Sequence, residues 1–348
     1  MKEIILVGGI SKKIFYEGGE TGKNANLLAA FTDCGCRVVP ASLLKLSKHP
    51  WRGLITLYKL LTHPHANVFI ASSLRRCGWL IKLLYYVNSS RNICYAGTGC
   101  QFSGLIAKGK FNAKYFRNIT TIIVQGESMK RELATVGLDA IVLPNFKRMN
   151  FLPTLPDRSL NEMVRFVFMS RMNEKKGVNL IIECCNRLNN DGYGDKYVVD
   201  FYGSFESKEY KNIVMDKIAL LKNVLYCGKL NMGEEDGYNT LAQYNVMLFP
   251  TFWPGEGFPG VLIDALMAGL PVIASDWHFN SDIVQDGLTG KIIKSQDEDA
   301  LYEAMKDVIK NPNKYHNMAS YCQNQASNYD TKNIINIKFL QRIGFLEE

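Results

Sequence analysis

Arg165-Phe-Val-Phe-Met-Ser-Arg-Met-Asn-Glu-Lys-Lys-Gly177 opens on a short β-prone run and passes directly into a polar loop that carries Arg171 and Lys176. The run is too short for a helical period and ends at polar residues, so Arg165–Met169 reads as a strand. Cations placed just before a helix are disfavoured by its dipole unless they share an anion. The loop therefore suits a phosphate, with Arg171 forking onto two oxygens and Lys176 supplying a point charge. A solvated basic turn is the other reading of the same residues.

The run belongs to a rhythm. Downstream, Val198–Tyr202, Val224–Cys227, Val246–Phe249, Val272–Ala274 and Lys291–Ile293 alternate with longer helical patterns. Upstream, Ile4–Val7, Arg37–Val39, Val68–Ala71, Ile93–Ala96, Thr121–Val124 and Ile141–Leu143 do the same. Such alternation predicts βαβ units and parallel sheets, hence an α/β fold of two Rossmann-like domains. Pro153 and Pro156 disfavour helix and mark a linker over 152–157. The expected domains are 1–150 and 151–330, with a helical segment over 331–348 folding back on the first. Ligands of doubly wound sheets lie at the carboxyl ends of the strands, so the site is expected in a cleft between the two sheets.

Composition narrows the function classes. The chain has 348 residues, 47% of them hydrophobic, and a mean hydropathy of −0.08, which suits a globular protein of two domains. Its longest apolar stretch, Trp79 to Val87, already contains Lys82, and no signal-peptide core follows Met1, so neither a membrane span nor a secretion signal is expected. The nine cysteines form no Cys-x-x-Cys pair and read as buried, reduced thiols of a cytoplasmic protein. Charge is unevenly divided: residues 1–150 carry 21 Lys and Arg against 7 Asp and Glu, and no acidic residue occurs between Asp33 and Glu127. Such a half attracts an anion, whether lipid head group, phosphorylated substrate or nucleic acid. No nucleic-acid-binding module accompanies it, so nucleic acid is not expected as a partner.

Further motifs follow strands. Glu17-Gly18-Gly19-Glu20-Thr21-Gly22-Lys23-Asn24 precedes a helical pattern with Ala25, Leu27, Leu28 and Phe31 on one face. It lacks the first glycine and the hydroxyl of a P-loop. It reads either as a diphosphate-holding loop around Gly18 and Gly19 or as a plain strand-to-helix turn. After Val246–Phe249, Glu256 stands in a loop, Pro259 suits a first helical position, and Gly269 suits the helix stop. Asp264 falls inside the intervening apolar helix, where an acid needs a polar partner. Asp297-Glu298-Asp299 reads as a capping cluster, and the five histidines have no ligand spacing, so no metal is expected. No Gly-x-Ser-x-Gly elbow exists. From Pro50 a helix puts Trp51, Leu54, Ile55, Tyr58 and Leu61 on one stripe beside Arg52 and Lys59, with Lys45 and Lys48 upstream. That stripe faces either the core or an anionic membrane.

Together these motifs resemble the retaining glycosyltransferases of family 4, of GT-B fold. The residues that carry the likeness are Ser170–Gly177, Tyr202-Gly203, Phe249-Pro250, Pro254–Phe258, Ala265–Asp276 and Asp282–Gly290. The resemblance implies two Rossmann-like domains facing a central cleft, an acceptor-binding first domain and a donor-binding second one. It implies catalytic roles for Glu256, Arg171 and Lys176, and donor contacts from Arg171, Lys176, Gly203, Glu256, Gly257, Phe258, Pro259 and Asp264. Asp264 stands where the family has a glutamate, and Ser170 where it has a glycine. The implied activity is sugar transfer with retention from a nucleotide sugar to a glycan or polyprenyl-diphosphate-linked acceptor, in bacterial-type surface polysaccharide synthesis, with no cofactor or metal. The implied location is cytoplasmic and peripheral at the inner face of the cell membrane. An epimerase, phosphorylase or non-catalytic nucleotide-sugar binder on the same fold is the alternative.

Overall fold

The computed structural model describes residues 2–11, 19–87, 91–99, 101–158 and 163–347. The chain divides into two compact units, 1–148 with 328–348, and 149–327. All twelve runs read as strands from the sequence are strands, six in each unit.

In the first unit, β1 (Glu3–Gly8), β2 (Arg37–Ser42), β3 (Asn67–Ala71), β4 (Ile93–Ala96), β5 (Thr121–Val124) and β6 (Ile141–Val142) form a parallel sheet in the order β2-β1-β3-β4-β5-β6. Its connections are α1 (Gly19–Asp33), α2 (Trp51–Thr62), α3 (Leu74–Tyr86), α4 (Gln101–Ala107) and α5 (Glu127–Ala134). Strand β1, between β2 and β3, is fully buried over Ile4–Val7, as a sheet covered by helices on both faces requires. Strand order reverses after β2, so right-handed crossovers put α1 on one face and α2 and α3 on the other.

In the second unit, β7 (Val164–Met169), β8 (Tyr197–Tyr202), β9 (Val224–Tyr226), β10 (Val246–Phe249), β11 (Val272–Ser275) and β12 (Gly290–Ile293) pair in parallel in the order β12-β11-β10-β7-β8-β9. Its helices are α6 (Val178–Asn190), α7 (Lys208–Ile218), α8 (Glu235–Leu241), α9 (Gly260–Met267), α10 (Asn280–Ile283), α11 (Glu298–Lys310), α12 (Pro312–His316) and α13 (Ala319–Ala326). Asp297 caps α11, accepting from Ala300 N at 3.0 Å. Arg158 is buried and holds the end of α9, donating to Gly269 O at 2.9 Å and Ala268 O at 3.1 Å as well as to Ala242 O at 2.8 Å. These bonds satisfy carbonyls that a helix terminus leaves open.

Four local expectations are corrected. The glycine-rich loop expected over 17–24 is helical from Gly19 onward, because Leu27, Ala30 and Phe31 bury one face and carry the helix back to its first turn. The helix expected over 331–348 is two short ones, α14 (Thr331–Ile334) and α15 (Ile337–Arg342), with Asn336 capping the second through Phe339 N at 3.0 Å. Phe339, Leu340, Ile343 and Phe345 join Ile4, Leu6, Phe31 and Phe69 in the first unit's core, and Asn67 Nδ2 donates to Phe345 O at 3.1 Å. Pro259 is the residue before α9 rather than its first, with ψ 112° outside the helical range. Cys227 is exposed and Cys34 half-buried, while the other six described cysteines are buried and free.

Candidate functional site

In the second sheet the strand order reverses between β7 and β10. Loops leaving two strands at such a point diverge to opposite sides and open a crevice at their carboxyl ends. Here the two loops are Ser170–Gly177 and Pro250–Pro259. Hydrogen bonds join them: Phe252 N donates to Lys175 O at 2.8 Å, and the Thr251 hydroxyl reaches the same carbonyl at 3.4 Å. Gly177 sits at φ +82°, and a Cβ there would lie 2.4 Å from Pro250 O, so only glycine lets the loops approach this closely.

The first loop ends in a 3-10 turn, Glu174–Lys176, capped by Asn173, whose side chain accepts from Lys176 N at 3.0 Å. That turn aims the Lys176 side chain inward, where its ammonium is buried and pairs with Glu256 Oε2. Thr251 Oγ1 donates to the same oxygen at 2.9 Å, and the Lys176 ammonium lies 5.4 Å from the Phe249 ring centroid. Burial pulls the Lys176 pKa down. Glu256 pulls it up, and exposed Arg171 pushes it further down. The net shift is downward, so one carboxylate does not fully offset desolvation plus a second cation. Two cations and one buried acid form a site that gains from a further anion.

Gly203 follows β8 on the same edge. Its φ is +153°, and a Cβ would lie 1.8 Å from Ser170 O. Its carbonyl accepts from Tyr226 OH at 2.8 Å. Gly257 is half-buried, and Phe258 is buried and stacked on Phe279 with centroids 6.2 Å apart. Asp264 is buried in the middle of α9 and accepts from Tyr238 OH of α8 at 2.9 Å. This is the polar partner an acid there needs. Burial, then Asp264, pushes the Tyr238 pKa up, so the phenol stays a donor. The structure thus joins Lys176 and Glu256 directly, brings Arg171 within electrostatic reach, and sets Gly203 against the start of the same loop. Thr251, Asn173 and Tyr238 were not singled out from sequence. Asn173, three residues before Lys176, carried a capping signal, whereas Tyr238, 26 residues from Asp264, carried none.

The first unit has its own reversal, between β1 and β3. Gly18 lies outside the described residues, and Gly19 is the exposed first residue of α1. Glu20 accepts from Gly9 N at 2.9 Å, from Ser72 Oγ at 3.0 Å and from Arg76. Asn24, fully buried, donates to Ala71 O at 3.0 Å and Gly9 O at 3.3 Å, which fastens α1 across the two strand ends. Lys23 beside it is buried, and burial lowers its pKa to about 8, with Cys94 and Glu20 acting in the opposite direction. Between about 8 and the ordinary lysine value of 10.5 the unfolded chain holds more protons than the folded one, so this group makes stability rise with pH across that window. Lys23→Met is expected to be the more stable protein near neutral pH, by on the order of 3 kcal/mol. That advantage should shrink as pH climbs through the window. Denaturant unfolding of both proteins at a series of pH values checks this, and a difference independent of pH would refute it.

Comparison with known proteins follows this geometry. The family model described as glycosyl transferases group 1 matches residues 158–325. The amylovoran biosynthesis glycosyltransferase AmsK of Erwinia amylovora is 27% identical over 150 residues, 41% of this chain and 35% of its own length. The capsular polysaccharide biosynthesis glycosyltransferase CapM of Staphylococcus aureus is 25% identical over 210 residues, 55% of this chain and 52% of its own. The chain therefore spans about a third to a half of these relatives. Among solved structures, Anabaena Alr3699/HepE in complex with UDP and glucose matches with a TM-score of 0.73 at 15% identity, covering 99% of this chain and 100% of that one.

Proposed function

We propose, from the match of residues 158–325 to the group 1 glycosyl transferase model and from the GT-B fold, that the protein moves a hexosyl or deoxyhexosyl group from a nucleotide sugar to a glycan or polyprenyl-diphosphate-linked acceptor, with retention, in surface polysaccharide synthesis. The observation that carries this reading is the buried Lys176–Glu256 pair beside Arg171 at the sheet's reversal point. In the reaction the bond from the anomeric carbon to the donor diphosphate breaks, and its electron pair leaves on the phosphate oxygen. The acceptor oxygen bonds to the same face of that carbon and gives its proton to the departing diphosphate.

The residues suit that task. Arg171 and Lys176 neutralise the charge that grows on the leaving diphosphate, in a site where low dielectric strengthens the effect. Glu256, held on Oε2 by Lys176 and Thr251, stands beside the transferred sugar. Asp264, its carboxylate oriented by Tyr238, receives the ribose hydroxyls.

A thermal-shift series with UDP, GDP and dTDP and their sugar conjugates tests the reading. A ligand that binds only the folded protein raises Tm with its concentration. One nucleotide class is expected to do so, and Asp264→Asn is expected to need about tenfold more of it, the loss of one hydrogen bond to a charged group. No shift with any of them, together with no sugar transfer, would overturn the assignment.

A further inference from the structure

The helix that sequence left open between core and membrane is decided by its packing. In α2 only Thr56 and Leu60 are buried, and Gly53 faces Trp79 of α3. Trp51, Leu54, Ile55, Tyr58 and Leu61 point outward, exposed by between 45% (Ile55) and 79% (Leu61). At 3.6 residues per turn these five share about a third of the helix circumference, opposite the side that meets the sheet. Among the described residues no other helix leaves more than two large apolar side chains exposed. Tyr86 and Val87, at the end of α3 on the same face of the sheet, are exposed as well, and Arg91 Nη2 ties that end to α2 through Leu60 O at 2.6 Å.

Charge identifies the partner. Arg52 donates to Leu44 O and Lys59 to Pro40 O at 2.5 Å, so both are anchored along one flank of the stripe, and exposed Lys45 and Lys48 precede the helix. Glu3, which lies 4.0 Å from His63 at the end of the helix, is already paired with Arg37 at 3.4 Å. From Asp33 to Glu127 the chain supplies thirteen Lys and Arg and no acid. Two copies meeting through this face would set like charges against each other. A bilayer of anionic phospholipid satisfies both features at once. On such a surface the apolar side chains would enter the acyl boundary, Trp51 and Tyr58 would sit at headgroup depth, and the lysines would meet the lipid phosphates.

We propose that α2 is an interfacial anchor that seats the first unit on an anionic membrane surface. For the transferase reading this makes a lipid-embedded acceptor the substrate the first unit reaches, and to that extent it rests on that reading. The docking itself does not.

Vesicle flotation of the full chain tests it, with phosphatidylcholine alone against phosphatidylcholine mixed with phosphatidylglycerol, at low and high salt. The wild type is expected on the anionic vesicles at low salt only. L54S/Y58S/L61S, all surface positions, should keep the wild-type Tm and lose on the order of a hundredfold in partitioning. K45Q/K48Q should lose about tenfold and flatten the salt dependence. Equal binding by the apolar variant, binding indifferent to lipid charge, or no binding at low salt would overturn the anchor. So would a wild-type dimer in sedimentation that the apolar variant dissolves, since the face would then be a protein interface. The nucleotide thermal shift run on the same variants separates the two readings: the shift should persist when docking is lost, and its absence in every protein would count against the donor site alone.

Discussion

Lys176→Ala is expected to lower kcat/KM for the nucleotide sugar by about a hundred- to a thousandfold, the usual cost of removing one preorganised group facing transition-state charge. The ammonium is buried, and its pKa is already lowered by burial and by Arg171. Growth of charge on the leaving diphosphate therefore relieves an existing imbalance, and this interaction strengthens as the bond breaks. Removing the lysine also leaves Glu256 buried with the Thr251 hydroxyl donating to it but no cation beside it, so a loss of stability accompanies the loss of rate. Arg171→Ala separates the two effects. Its side chain is exposed, so Tm should hold while donor affinity and turnover fall. Steady-state kinetics with unfolding curves on both variants decide the matter, and wild-type turnover and nucleotide affinity in both would show that no diphosphate is held there.

Glu256→Gln is the second large effect, with turnover expected to fall on the order of a hundredfold or more while the loop keeps its shape. Glutamine retains the size of the side chain and an acceptor for Thr251 Oγ1. What it lacks is the negative charge beside Lys176. Glu256 raises the Lys176 pKa against burial and Arg171, so neutralising it lowers that pKa further. Activity that depends on the ammonium is lost as pH rises through its pKa, so the alkaline limb of the kcat/KM profile should move to lower pH in Glu256→Gln. A residue that merely braced the loop would alter Tm and leave that limb in place. An unchanged profile with unchanged kcat would remove Glu256 from the reaction.

The strands were legible because each lies in a sheet covered on both faces, which forces apolar and β-branched residues into consecutive positions such as Phe166–Met169 and Met247–Phe249. Arg171, Lys176 and Glu256 could be singled out for a related reason. A charged residue directly after such a strand is carried to the carboxyl edge, where ligands bind. Their pairing was not legible. Lys176 and Glu256 are 80 residues apart and meet only because strand order reverses between β7 and β10, an arrangement that local pattern does not encode. Tyr238 and Arg158 escaped for the same reason: their partners are side-chain or backbone atoms supplied by other elements. Helix α2 shows the limit most clearly. Its period marked an apolar stripe over Trp51, Leu54, Ile55, Tyr58 and Leu61, but a period has no direction. The inward side is built from Gly53, Thr56 and Leu60, small or mixed residues that announce no core. Only the crossover that lays this face against the sheet decides that the apolar stripe is turned outward.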